Sequence, residues 1–250
     1  MFLTNALISS ADTVVLPATS FDCYSTLEQY WAYLYPWGSD HNGSARMVGN
    51  SSDHKYISVS EGVLTLSASP VSGQPPSTSN PYPAIHYFSG TVHANVQINV
   101  DGIDAVGYQV EGEFISPTAT GTWPAIWLTA VNGWPPEADI GEWKGTEQNW
   151  FNTFRTANDV SSTIVPWPTD GNFHSVKAVL RAVPGSTSDL TIAYYLDDVL
   201  QAIHNAAGFM GQAMWLYLSH FQMEGSSGSP GPSGTTIFQA RNVIVTKLTS

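Results

Sequence analysis

From Thr91 to Val100 the chain alternates without a break. Val92, Ala94, Val96, Ile98 and Val100 fall on one parity; His93, Asn95, Gln97 and Asn99 fall on the other. A period of two means a strand with one dry face and one wet face. Ala105 to Ile115, Trp123 to Ala130, Ala138 to Trp143, Phe151 to Thr156, Phe173 to Ala182, Leu190 to Leu196, Ala213 to Met223 and Ile237 to Lys247 read as further strands. Tyr56 to Ser60 and Val63 to Ser67, joined by Glu61-Gly62, read as a hairpin. Residues 70–83 are proline-rich and read as a long loop. Val183-Pro184-Gly185-Ser186 and Asp197-Asp198 read as turns, and Gly225 to Gly234 as an exposed loop of low complexity. Only residues 22–34 suggest a short helix. About ten strands with no regular helices between them predict an all-β protein of two packed antiparallel sheets. No repeat or linker divides residues 1–250, so a single domain is expected.

Charge narrows the function. Lys and Arg total 8 against 20 Asp and Glu, a net charge of -12. Nucleic acid and anionic membranes are poor partners for such a surface. No run reaches the roughly 18 apolar residues of a membrane span. A single cysteine, Cys23, excludes an internal disulfide and a four-cysteine zinc site. The first residues do not read as a signal peptide. The composition favours a secreted protein in mature form, with a cytoplasmic one as the alternative. The 9 Trp, 11 Tyr and 10 Phe divide between the core and a groove, where flat rings can stack on sugar faces.

The segment from Gly133 to Gly145, GWPPEADIGEWKG, is the most informative. In a regular strand Glu137, Asp139 and Gly141 share a face and Glu142 points away. One β-bulge between Asp139 and Glu142, with Gly141 as a suitable place for it, brings all three acids to one face. Crowded carboxyls keep a proton near neutral pH, as a glycosidase requires: one carboxylate attacks and one carboxylic acid protonates the leaving oxygen. Trp134 and Trp143 flank the acids as a dry wall or stacking surface. A solvated strand face and a calcium site are the competing readings of the same spacing.

Gly121-Thr122-Trp123-Pro124-Ala125-Ile126-Trp127-Leu128, followed by Glu137-Ala138-Asp139-Ile140-Gly141-Glu142, resembles the G-x-WPA-x-WL and E-x-D-x-x-E pair of glycoside hydrolase family 16, the laminarinase and lichenase group. The likeness extends more weakly over residues 40–248, through Tyr87-Phe88-Ser89-Gly90, Phe173-His174-Ser175-Val176, Tyr194-Tyr195-Leu196-Asp197-Asp198 and Asn242-Val243-Ile244-Val245. It implies a concanavalin-like β-jelly roll with a cleft across one sheet, and retaining endo-hydrolysis of a neutral β-linked polysaccharide. A β-1,3- or β-1,3-1,4-glucan is the first expectation. Carried over by position, Glu137 is the nucleophile, Asp139 the assisting acid and Glu142 the general acid/base. No cofactor is implied for catalysis, though a structural calcium occurs in some members. The chain departs from the pattern at Ala138, Asp198, Leu218-Ser219-His220-Phe221 and Pro135-Pro136.

Further substrate-binding candidates are Trp123, Trp127, Asn152, Arg155, His174, Trp215, Tyr217 and His220, besides Trp134 and Trp143. Trp31, Trp37, Trp150 and His93 are weaker ones. The expected partner is a polysaccharide or oligosaccharide, met by a monomeric chain. A lectin-like binding domain on the same fold stays open. So does a polysaccharide lyase, for which His174, His220, Tyr217 and Arg155 would have to converge.

Overall fold

The computed structural model describes residues 12–218 and 222–249. Two sheets face each other. The larger has ten strands, running in order Val199–Ala206, Leu190–Leu196, His174–Ala182, Gly107–Ile115, Thr236–Leu248, Val63–Pro70, Tyr87–Ser89 and Ala45–Met47. Thr13–Leu16 and Ile57–Ser60 pair off this path. The smaller sheet has seven strands, ordered Asp159–Pro166, Gln148–Thr156, Glu137–Glu142, Ala125–Ala130, Met214–Leu218, Val92–Ile98 and Trp31–Tyr33. Pairing is antiparallel throughout the smaller sheet. In the larger it is antiparallel except between Ala45–Met47 and Tyr87–Ser89. The architecture is the all-β jelly-roll sandwich expected, with its core between the sheets.

Alternation decides which side chains enter that core. Ala138 and Ile140, Ile126 and Leu128, and Leu216 are fully buried on the inner face of the smaller sheet. Phe114, Val176, Leu180 and Phe238 are buried on the larger one. Burying apolar area at roughly 25 cal/mol per Å² drives this arrangement. The hairpin turn is present: Ser60 pairs with Val63, and Glu61 and Gly62 both take positive φ. Asp197 and Asp198 likewise turn with positive φ between Leu196 and Val199. The short helix spans Tyr24–Tyr30, and its Leu27 is buried.

The short strands Thr13–Leu16, Trp31–Tyr33 and Ala45–Met47 were not legible, and Trp31–Tyr33 occupies the end of the segment expected to be helical. Two longer strands, Asp159–Pro166 and Val199–Ala206, were also missed, and each lies at the end of a sheet. Their side chains are largely exposed, so no clean dry parity marks them. The 225–234 segment is largely the exposed loop expected, with one buried anchor. It begins with a short 3₁₀ turn, Gly225–Ser227, and Ser227 is buried. Glu224 fixes the remainder: its carboxylate accepts the Gly231 N–H at 2.9 Å and the Ser44 hydroxyl at 2.7 Å. Ser226 reaches the lining of the cleft.

Candidate active site

A cleft of about 780 Å³ opens on the outer face of the smaller sheet. Strand register builds its floor in rows. Asn152, Asp139, Trp127 and Tyr217 stand opposite one another on four neighbouring strands. Two residues along, Phe154, Glu137, Thr129 and Trp215 form a second row. The acidic strand then breaks step. Trp127 pairs with Asp139, but Ile126 pairs with Gly141, so Ile140 is the extra residue of a β-bulge. Glu137, Asp139 and Glu142 consequently all line the cleft. Gly141 is required there by space. A Cβ at that position would lie 2.7 Å from Trp143 Cη2 and 3.1 Å from Ile126 Cγ2.

N–H donors converge on the three carboxyls. Trp134 Nε1 donates to Glu137 Oε2 at 3.0 Å. Asn152 Nδ2 donates to Asp139 Oδ2 at 2.9 Å and to Glu142 Oε2 at 2.8 Å. The Ser162 hydroxyl donates to Asn152 Oδ1 at 2.6 Å, which fixes the amide's orientation. Glu142 Oε1 accepts Trp123 Nε1 at 2.8 Å and lies 3.2 Å from Lys144 Nζ. Four donors aimed at the acids suit carboxylates awaiting a neutral substrate and do not suit a cation cage. Among the described residues, no group of three or more His, Cys, Asp or Glu is placed to hold a metal ion.

Burial makes charge costly here. It pushes Glu137 up to about 8, helped by the charge of Glu142 and opposed by the Trp134 N–H and by Lys144. Asp139 is pushed well above the usual carboxylate range by burial and then by the charges of Glu142 and Glu137. The trio therefore retains a proton near neutral pH. At the rim, burial pushes His41 down to about 4, so its imidazole, stacked on Trp127, is neutral.

The candidates separate as follows. Trp123, Trp127, Trp134 and Trp215 line the cleft with the acids, and Trp37 joins them at the rim. Asn152 is buried beneath as their hydrogen-bond partner. Tyr217 is fully buried, under Tyr35 and Trp37, with Trp127 stacked beside it at 4.6 Å. Trp150 sits under Lys144, whose Nζ is 5.0 Å from its ring centroid. His93 bonds the Leu34 carbonyl and meets Trp215 edge-on, and Trp31 is buried with its N–H on Ser20.

Three candidates belong elsewhere. Trp143 follows Glu142 after the bulge, so parity sends it inward. It is 0% exposed and packs against Phe114, Phe238 and Trp167. Arg155 is turned away from the cleft-facing Phe154. Its guanidinium binds Asp159, Ser161 Oγ and the Asn205 carbonyl. His174 is on the larger sheet, held between Asp170 and Asp197. The groups needed for a lyase thus do not converge. His220 lies outside the described residues. Sequence reasoning missed Lys144, Thr129 and Phe154 as cleft residues. Lys144 had a signal: one of 8 basic residues, two positions after the last acid.

No protein-family model matches the chain. It is 55% identical over 235 residues to a galactan endo-beta-1,3-galactanase of Flammulina velutipes, covering 93% of this chain and 90% of that protein. It is 26% identical to the endo-1,3-1,4-beta-glycanase EglC of Rhizobium meliloti, of which it spans 50%. Among solved structures, SCLam, a non-specific endo-beta-1,3(4)-glucanase from family GH16, superposes with a TM-score of 0.71 at 15% identity. That match covers 98% of this chain and 94% of the other, and it speaks to the fold.

Proposed function

This chain belongs to glycoside hydrolase family 16, and from that premise we propose that it is a retaining endo-hydrolase of β-1,3-linked galactan. Membership itself carries the coarser statement, that the protein is a hydrolase of polysaccharides of the β-glucan and β-galactan type. The observation that carries the finer reading is the bulged strand, which puts Glu137, Asp139 and Glu142 on the floor of one aromatic cleft.

In the first step a carboxylate oxygen of Glu137 bonds to the anomeric carbon. The bond from that carbon to the bridging oxygen breaks, and Glu142 gives its proton to the departing sugar. In the second step Glu142 takes a proton from water as the water oxygen bonds to the anomeric carbon and Glu137 leaves. Configuration is retained because the carbon is displaced twice. In the free site the upward push falls on Glu137 and Asp139. A sugar ring developing positive charge beside Glu137 favours ionising that group. Asp139, held by Asn152, orients the pair and buffers their charge. Trp134 and Trp215, which line the cleft, offer ring surface to the apolar faces of the sugars.

Galactan is preferred to glucan as the substrate because the likeness to the Flammulina velutipes galactanase is high over almost the whole chain. The glucanase likenesses are far more distant. The reaction needs no cofactor in this reading, and a calcium ion, if bound, would be structural. An exported enzyme working on extracellular polysaccharide is the setting implied. Release of reducing ends from β-1,3-galactan, laminarin and lichenan tests the proposal. The expected order puts β-1,3-galactan first. A faster rate on laminarin or lichenan would return the assignment to a β-glucanase, and binding without cleavage would favour the lectin-like alternative.

A further inference from the structure

Glu142 has an unusual neighbour. Trp143 turns into the core, so the next residue, Lys144, returns to the cleft. Its ammonium lies 3.2 Å from Glu142 Oε1, 5.4 Å from the centroid of Trp123 and 5.0 Å from that of Trp150. Trp123 meanwhile donates its own N–H to the same oxygen at 2.8 Å. The cation is thus held over two indole faces, a geometry that is attractive by itself. With its side chain 22% exposed, it is largely shielded from water. Among the described residues, Lys144 is the one lysine or arginine lining the cleft.

We propose that Lys144 is a positioning residue of this site, which fixes the orientation of Glu142 and sets how many protons the three carboxyls share. The inference rests on the roles proposed above for Glu137 and Glu142. Glu137 and Asp139 face Glu142 from its own strand, and Lys144 from the segment that follows. The adjacent strand offers the neutral amides of Asn149 and Asn152. His41 lines the same cleft from the opposite rim, and Glu224 is turned away onto Ser44 and His86. Among the described residues, Lys144 is therefore the charge that offsets the three acids. It pulls Glu137 and Asp139 down against the upward push of burial. The Trp123 hydrogen bond and the Lys144 ion pair both fall on Oε1, which leaves Oε2 as the oxygen whose partner, Asn152, sits within the cleft floor. An uncharged side chain at position 144 would lose both effects.

The test is a carbon-13 NMR titration of the side-chain carboxyls in the wild type, Lys144→Met, Lys144→Gln and Lys144→Arg, with thermal unfolding as the fold check. The expected result is that the midpoints of the cluster rise by about one pH unit in the Met and Gln proteins. Lys144→Arg, which keeps the charge, stays near the wild type. The bell-shaped pH profile of kcat/KM on β-1,3-galactan moves to higher pH in the same two variants. Unmoved midpoints in folded Lys144→Met overturn the inference. So does a Gln variant that titrates as the wild type, since Gln keeps a donor without the charge. If the Met protein does not fold, the Gln protein decides. A wild type inactive on every β-linked glucan and galactan would overturn the proposed function, while the titration would still decide Lys144.

Discussion

Asp139 and Glu142 sit on either side of a one-residue bulge and share a single donor, the Nδ2 group of Asn152, at 2.9 and 2.8 Å. Two buried acids are thereby tied together by an amide that cannot itself ionise. Ser162 fixes which end of the amide faces them. Asn152→Leu removes both bonds at similar volume. Loss of alignment in a catalytic group costs about 10²-fold, so kcat/KM of this variant should fall by that order with KM little changed. Steady-state kinetics on β-1,3-galactan checks it; an unchanged kcat would mean that the amide only fills space.

Glu137→Gln should remove activity on the order of 10³-fold or more, because an amide cannot form the glycosyl ester. Its effect on stability runs the other way. Glu137 is a buried acid facing Glu142, and removing that repulsion leaves the thermal midpoint unchanged or higher. Activity and unfolding measured on the same preparation separate the two effects. A variant that is both inactive and strongly destabilised would point to a structural role.

The same acid makes stability depend on pH. Its value in the folded protein, about 8, lies above the ordinary 4.5, so between those limits the native state binds more protons than the unfolded chain. Stability is then greatest at the acid end of that window and falls as pH rises through it, flattening above about 8. A fully realised difference is worth about 1.4 kcal/mol per pH unit. Urea unfolding at several pH values should show this slope in the wild type and a shallower one in Glu137→Gln. Identical slopes would contradict the assignment.

Gly141→Ala places a methyl group 2.7 Å from Trp143 Cη2, at the bulge that aims Glu142. Overpacking of this kind costs about 1–3 kcal/mol, and relief by shifting the strand would misdirect Glu142. The expected outcome is a lower unfolding midpoint together with a drop in kcat. Activity equal to the wild type would show that the bulge tolerates the change.

Much of this site was legible in the sequence because it depends on parity. The spacing of Glu137, Asp139 and Glu142 makes sense on one face only with a bulge, and the bulge lies between Asp139 and Glu142. Parity also explains the misreading of Trp143. Once the bulge turns Glu142 outward its neighbour must turn inward, where Trp143 packs against Phe114 and Phe238. Arg155 and His174 required knowledge of pairing that local pattern does not hold. Arg155 is committed to Asp159 across its own hairpin, and His174 to two aspartates on the other sheet. His41 reaches Trp127 from far away in sequence, and only tertiary packing brings the rings to 5.9 Å. The strands Asp159–Pro166 and Val199–Ala206 bury little, so they left no hydrophobic rhythm to read.

Double displacement at one strand is tested most directly by the stereochemistry of the first product. Proton NMR of the anomeric region, recorded during the first minutes of hydrolysis of β-1,3-galactan oligosaccharides, distinguishes the two possible outcomes. The β anomer should appear first and the α anomer only later, by mutarotation. An initial α product would mean single displacement by water, and Glu137 would not be the nucleophile.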